Sequence, residues 1–387
     1  MTTHTKFNSE DYLHEISSID AGKEPDQYLK KMRFWLIRSF EGFLKKGIQS
    51  DYVGYNLSKE HPAYPIEEIR QKYDNIAGHY ANMYRGGYLF NYFGFALAVI
   101  IASFAFAVLY YKDELNTFFN YEYFADIVLI VLGTLKLLVI MKIIGNTHDL
   151  KNNSINLKHI DFRYVAERLR FDVAFAIIGE KCKLSPNSGR HLQQMLNEYT
   201  GFLLYRDKVL PELAQIPLQP QASSEDEEIA YKYLIDDQMK FHESRKTRHI
   251  TFEYKLKSLA EILNKAVLFI VILDLLIALC HVICHSIHFE WQLIDGAHTF
   301  TSILVMLTII FPACVAALVA VTAQSEYGKL SARNNRLMIE LSGFIEQYKN
   351  SQNKQDYFAS NFSPTVQKLM DEVTEWTLIY EKEVHEM

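Results

Sequence analysis

Two charges and two sulfur–imidazole pairs stand where the sequence is otherwise apolar. Lys136 and Asp274 each interrupt a run long enough to cross a membrane. A charge near the middle of a bilayer costs several kcal/mol unless it pairs or faces water. Two readings follow: a buried ion pair tying two segments together, or residues lining an aqueous ion path. Near the end of the same run as Asp274, Cys280/Cys284 and His281/His285 form two i, i+4 pairs, each on one helix face. Thiolate and imidazole at that spacing could hold Zn²⁺ or Cu⁺. Equally, they could be small thiols and polar rings at a membrane boundary. Three residues separate the cysteines, so this is not a C-x-x-C-H haem attachment. No P-loop, G-x-G-x-x-G or G-x-S-x-G occurs, and no His-Glu pair is followed by a second His at metalloprotease spacing. The chain reads as a non-enzyme, with no cofactor expected.

The elements that must position these residues are four apolar blocks, 88–111, 124–144, 266–287 and 299–323. The first and last carry no charge, and the others hold Asp126, Lys136, Lys142 and Asp274. Each reaches the roughly 20 residues that span about 30 Å of hydrocarbon as a helix. Thirteen Lys and Arg flank the ends of these blocks that face residue 1, the central segment and residue 387, against one in the two short connecting loops, Lys112. The positive-inside rule therefore places both termini and the central segment in the cytoplasm.

The fold class expected is an all-α integral membrane protein, with four transmembrane helices in two hairpins and long helices extending into a cytoplasmic helical bundle. Its parts are an N-terminal helical region (1–82), a first hairpin (83–145), a central helical segment (146–255), a second hairpin (256–323) and C-terminal helices (324–387). From Gln221 to Asp295 there is neither Gly nor Pro, and Ser223-Ser224 before four acidic residues supplies an N-cap and a favourable first turn. One helix should run from there into the third span. Segments 154–180 and 324–349 should continue the second and fourth spans, and Ser363-Pro364 should open a last helix. Breaks are expected around 184–189, 211–224 and 350–363.

Gly94, Ala98 and Ala102 repeat at intervals of four in the first span, as do Ala313 and Ala317 in the fourth, a spacing that lets helices approach closely. Pro312 should bend or hinge the fourth span. Upstream, 27–47 interleaves Lys30, Lys31, Arg33, Arg38, Lys45 and Lys46 with Phe34, Trp35, Leu36, Ile37, Phe40, Phe43 and Leu44. Such a basic amphipathic helix either lies on an anionic leaflet or packs its apolar face on the bundle.

Composition sets the outer limits. The 387 residues carry a net charge of −6, which excludes a dedicated nucleic-acid binder. A hydrophobic content of 49% excludes a mainly disordered chain, and four cysteines make no disulfide scaffold.

Residues 158–179 (KHIDFRYVAERLRFDVAFAIIG), 234–242 (LIDDQMKFH) and 308–342, together with YANMYRGGYLFNYFGFALAV at 80–99, resemble bacterial SLATT proteins, the SMODS- and SLOG-associating two-transmembrane effectors. The resemblance covers roughly 75–345 and rests on diffuse patterns. It implies a pore-forming or membrane-perturbing effector of the bacterial inner membrane, acting in antiviral defence. It also implies a trigger, either a nucleotide second messenger or a sensor protein. This chain departs from that group in having two hairpins and a long central segment. The expected function is thus a gated, ion-permeable membrane effector working as a homo-oligomer in the lipid bilayer. The alternatives are a membrane-anchored scaffold without conduction, and a metal-handling transporter using the Cys/His cluster.

Overall fold

A computed structural model describes residues 28–46, 52–182, 199–218, 223–286 and 294–386, and all regular structure among them is helical. Helix α1 is Tyr28–Lys45, α2 Tyr64–Tyr110, α3 Lys112–Phe118, α4 Phe124–Asn152 and α5 Ile155–Ile177. Helix α6 runs from Thr200–Leu204 through a π turn, Tyr205–Val209, to Leu210–Leu213. Helix α7 joins Ser224–Ala230, a π turn at Tyr231–Asp236 and Asp237–Ser286 into one rod, and α8 (Ile294–Ser325), α9 (Tyr327–Asn350) and α10 (Lys354–Glu386) follow.

The rod α7 starts where its sequence says it should. The Ser223 hydroxyl accepts from the Asp226 amide, while the Asp226 carboxylate accepts from the Ser223 amide at 2.7 Å, a reciprocal box that satisfies orphan donors. With no Gly or Pro to stop it, the helix continues to Ser286.

Helices α2, α4, α7 and α8 are long and apolar enough to cross a membrane. They form a row. Helix α2 packs against α4 and α8, and α8 against α7. Only 6% of the apolar windows of α4 and α7 is buried, against 17% for α2 and α8, as expected for outer and inner members of a row. Gly94 lets α4 approach closely: a Cβ there would stand 3.0 Å from Ile143. Ala98 and Ala317 are buried, Ala102 and Ala313 partly so, and α8 runs through an exposed Pro312 without a break.

The divisions drawn near 82, 145, 255 and 323 all fall inside helices α2, α4, α7 and α8. They mark a change of environment along continuous rods, not breaks in the chain. The breaks fall elsewhere. Ser154 (φ 48°) separates α4 from α5, and Glu326 (φ 47°) separates α8 from α9. Neither is Gly, so each turn is held by what packs around it. The two halves therefore repeat one plan: a long helix, a returning apolar helix, one left-handed residue, then a helix that packs back on the first, α5 on α2 and α9 on α7.

Beyond the apolar row, the lower part of α2 with α5, α6, the start of α7, α9 and α10 encloses the main core around Phe162, Tyr164, Leu169, Leu234 and Phe362. Helix α10 starts at Lys354, ten residues ahead of Pro364. Phe358 and Phe362 are both 2% exposed and stack at 4.5 Å, and this burial carries the helix across a residue that costs an interior about 3 kcal/mol.

A second core joins the bundle to the row. Ile37 and Leu44 of α1 meet Tyr88, Leu89, Phe252, Leu256, Leu318 and Val321. Above them Arg33, fully buried, donates from Nε to Asn146 Oδ1 at 2.7 Å and pairs with Asp149 at 2.7 Å. Asn146 in turn donates to the Gly87 carbonyl and to Asn91. Gly86 makes room for this, because a Cβ there would stand 2.3 Å from the Arg33 carbonyl oxygen. Gly86→Val should therefore push α1 away and cost about 1–3 kcal/mol. Arg33→Met should cost about 3–5 kcal/mol by stranding Asn146 and Asp149. Thermal unfolding in detergent, monitored by circular dichroism, checks both.

Candidate functional site

The described bundle contains a polar cavity of about 280 Å³ lined by arginines and aromatic rings. Its walls are Arg70 and Asp74 of α2, Arg163 and Arg170 of α5, Tyr233, Asp237, Phe241 and Arg245 of α7, and the strap that carries Tyr52 and Tyr55. Segments 158–179 and 234–242, singled out above for their resemblance, thus face one another across it.

The strap is held by one carboxylate. Asp237, just past the π turn, accepts from the Tyr52 hydroxyl and the Tyr55 amide, both at 2.8 Å. Tyr52 also meets Phe241 edge-on at 5.6 Å, and Tyr55 meets Tyr233 at 6.2 Å. π turns re-aim side chains inside helices and recur at functional sites.

The guanidiniums are largely committed to neighbours. Arg70 grips Glu67 through two bonds, at 2.7 and 2.6 Å, and Glu67 also accepts from the Tyr233 hydroxyl. Arg163 bridges Asp74 at 2.5 Å to Glu167, which Arg170 also reaches at 3.1 Å. Burial alone would raise the Glu167 carboxyl, but Arg163, Arg170 and Arg70 outweigh it and hold it at about 2.

Arg245 is different. Among the described residues it pairs with no carboxylate, and its guanidinium stands 5.1 Å over the Phe241 ring. Burial, with the like charges of Arg248, Arg163 and Arg85, brings it down to about 10. Asp237 and Asp74 share the wall with it, so Arg245 is a cation without a direct ion-pair partner among the described residues, in a cavity that also carries carboxylates. A phosphate could meet the Arg245 guanidinium there, and a flat group would find aromatic walls.

The charges singled out in the apolar helices are not brought together. Lys136 is exposed on α4, and Asp274 is partly buried on α7 with a buried Oδ1 that has no hydrogen-bond partner. Helices α2 and α8 stand between them. Nor are they level. Gly94 against Ile143 and Gly87 against Leu150 set Lys136 opposite Ile101. Carried across the row through Tyr88–Ser325 and the packing of Tyr327 on His249 and Phe252, these registers put Asp274 about two turns, roughly 10 Å, further from the bundle. Of the two readings, the direct ion pair is not formed within one chain, because the row interposes two helices.

Of the Cys/His cluster, Cys280 is exposed, and the side chains of His281, Cys284 and His285 lie outside the described residues. Among described residues no group of three or more His, Cys, Asp or Glu is arranged to hold a metal ion. Of the six basic residues of the N-terminal helix, Arg33 turns inward to Asn146 and Asp149, correcting its place on a membrane-facing surface. Lys31, Arg38, Lys45 and Lys46 are exposed, and Lys30 is partly so.

The cavity was not legible in the sequence. Its residues come from four segments nearly 200 positions apart, and the one local hint is Arg163-Glu167-Arg170 on consecutive turns of α5.

Among the described residues, whose regular structure is all helical, four helices are long and apolar enough to cross a membrane, the mark of a multi-pass membrane protein. Compared with known proteins, the chain matches no family model, no curated protein and no solved structure.

Two histidines in the arginine-rich zone set a pH response. Burial first, then Arg85, holds His159 at about 4, and its Nδ1 hydrogen-bonds the Ala77 carbonyl at 3.1 Å. His249 is held at about 4 by burial with Arg245 and Arg248. Both fold as neutral rings, so their contribution is complete above about pH 6.5 and is lost as pH falls toward 4. Melting temperature should drop across that interval, and His159→Asn, which keeps a donor for Ala77, should flatten the drop.

Proposed function

We propose that this protein is a gated, ion-permeable effector of a bacterial inner membrane, assembled from several copies and triggered through its cytoplasmic bundle. In this reading α2 with α4 and α7 with α8 are two hairpins across the bilayer, and both termini lie inside.

The observation that carries the reading is the isolation of Lys136 and Asp274 in apolar helices, without a partner among the described residues of one copy. Facing lipid, each would cost several kcal/mol, a cost removed by a neighbouring copy or by water. The repeated plan suggests how copies meet. Within one chain, the first helix of one hairpin, α2, packs on the second helix of the other, α8. The same contact continued between copies sets α7 of one against α4 of the next, a head-to-tail interface of the kind that closes into a ring. It covers the two barest helices and brings both charges into the assembly.

The trigger site is the arginine cavity. Helices α2 and α7, two of its walls, are single rods that continue into apolar helices, and α5 follows α4 after two residues. A ligand that draws these walls together moves the membrane helices with them. Arg245, which pairs with no carboxylate among the described residues, suits a phosphate-bearing ligand, in keeping with the nucleotide signal that the SLATT resemblance implies.

Planar-bilayer recording on the purified full chain tests this reading. Current is expected from the wild type with activating ligand, or from a variant with the cavity charge altered (Arg245→Glu). Asp274→Asn should change its ion selectivity or abolish it at equal incorporation. On a background with the four native cysteines replaced, Ile130→Cys and Ile272→Cys, which the same registers place level on the exposed faces of α4 and α7, should crosslink between copies. Silence in every condition, with no crosslink, would favour a membrane-anchored scaffold.

A further inference from the structure

Helix α1 lies across the level where the apolar segments begin. It touches α2 from His79 to Phe93, Asn146 and Asp149 of α4, and Arg248 and Lys255 of α7, and it shares a buried core with Leu318 and Val321 of α8. Its inward face, Arg33, Ile37 and Leu44, is buried. Its outward face is not: Trp35 is 63% and Phe43 60% exposed.

The contacts of α1 orient that outward face. Phe40 meets Phe93, five residues into the first apolar block, at 5.8 Å. On the other flank, Phe34 meets His79 at 5.2 Å and Glu41 pairs with Arg85 and Arg248, each at 2.9 Å, all on the bundle side. One flank of α1 therefore looks along the apolar helices and the other toward the bundle. At about 100° per residue, Met32, Leu36 and Phe43 fall on the outer edge of the Phe40 flank. Lys31, Arg38 and Lys45 fall on the outer edge of the Glu41 flank, with Trp35 at the crest between them. An apolar edge toward the hydrocarbon, a tryptophan at the boundary and cations on the aqueous side is the arrangement of a helix lying in a membrane interface.

We infer that α1 is an interfacial helix of the leaflet beside the bundle, with Trp35 and Phe43 seated at the headgroup–acyl boundary and Lys31, Arg38 and Lys45 binding anionic phospholipid headgroups. The inference requires only that the apolar helices cross a membrane and does not rest on conduction. It commits to lipid because the edge that continues the apolar row is apolar, while the edge turned to water is cationic. Lys and Arg near an anionic surface are attracted to its phosphates. The helix is also anchored to α2, α4 and α7 through Arg33 and Glu41, so lipid binding there would act on the membrane helices directly.

Trp35 is one of three tryptophans, which makes it a depth probe. The full chain carrying Trp291→Phe and Trp376→Phe is reconstituted in phosphatidylcholine vesicles containing phosphatidylglycerol. Lipids brominated near the headgroup or deep in the acyl chain are introduced in turn on either headgroup. Shallow bromines are expected to quench Trp35 more than deep ones, and brominated phosphatidylglycerol more than brominated phosphatidylcholine. The triple variant Lys31→Gln, Arg38→Gln, Lys45→Gln should lose the headgroup preference while keeping the depth. Should the double tryptophan replacement disturb the fold, Trp35→Phe in the native chain isolates the same signal by difference. Quenching by aqueous iodide and by no lipid would overturn the inference. So would protection from both, which would mean that a second copy or another protein covers the helix, and so would equal quenching by the two headgroups.

Discussion

A single buried guanidinium sets how the membrane helices leave the bundle. Arg33 is out of solvent on a helix that belongs to neither, and its partners, Asn146 and Asp149, lie where α4 emerges from the apolar row. A charge in that position is tolerable only with its partners in place, so α1, α2 and α4 are fixed relative to one another. Gly86 and Gly87 let the backbones approach closely enough for the bonds to form. With that corner fixed, Ile37 and Leu44 can close the second core on α7 and α8, and the row of four acquires a defined junction with the bundle.

The rods on either side of this junction make the molecule mechanically continuous. Helices α2 and α7 pass from polar to apolar surroundings without a break, and α5 and α9 are joined to α4 and α8 by one left-handed residue each. The ion-pair network of Arg70, Arg163 and Arg170 with Glu67, Asp74 and Glu167 binds α2 to α5, while Asp237 holds the strap on α7. Arg245 lies among cations without a carboxylate of its own, which makes its surroundings the place where a bound anion would alter the balance.

Several features were legible in advance because their causes are local. The Ser223 cap and the residue run without Gly or Pro predict α7, and the chain delivers it from Ser224 to Ser286. Others were misread because a distant partner decides them. Pro364 looks like a helix start, yet burial of Phe358 and Phe362 carries α10 through it. Arg33 looks like one more cation on a basic face, yet Asn146, 113 positions away, turns it inward. Lys136 and Asp274 look like possible partners, yet the row places α2 and α8 between them.

The sequence by itself determined that four helices are long and apolar enough to cross a membrane and that long helices adjoin them, because that property depends on about 20 consecutive residues alone. Only the tertiary structure decided the order of the row, the left-handed exits at Ser154 and Glu326, and the cavity of arginines and tyrosines. Each of these is set by which side chains from remote segments share one small volume, where burial makes every charge answer to its neighbours.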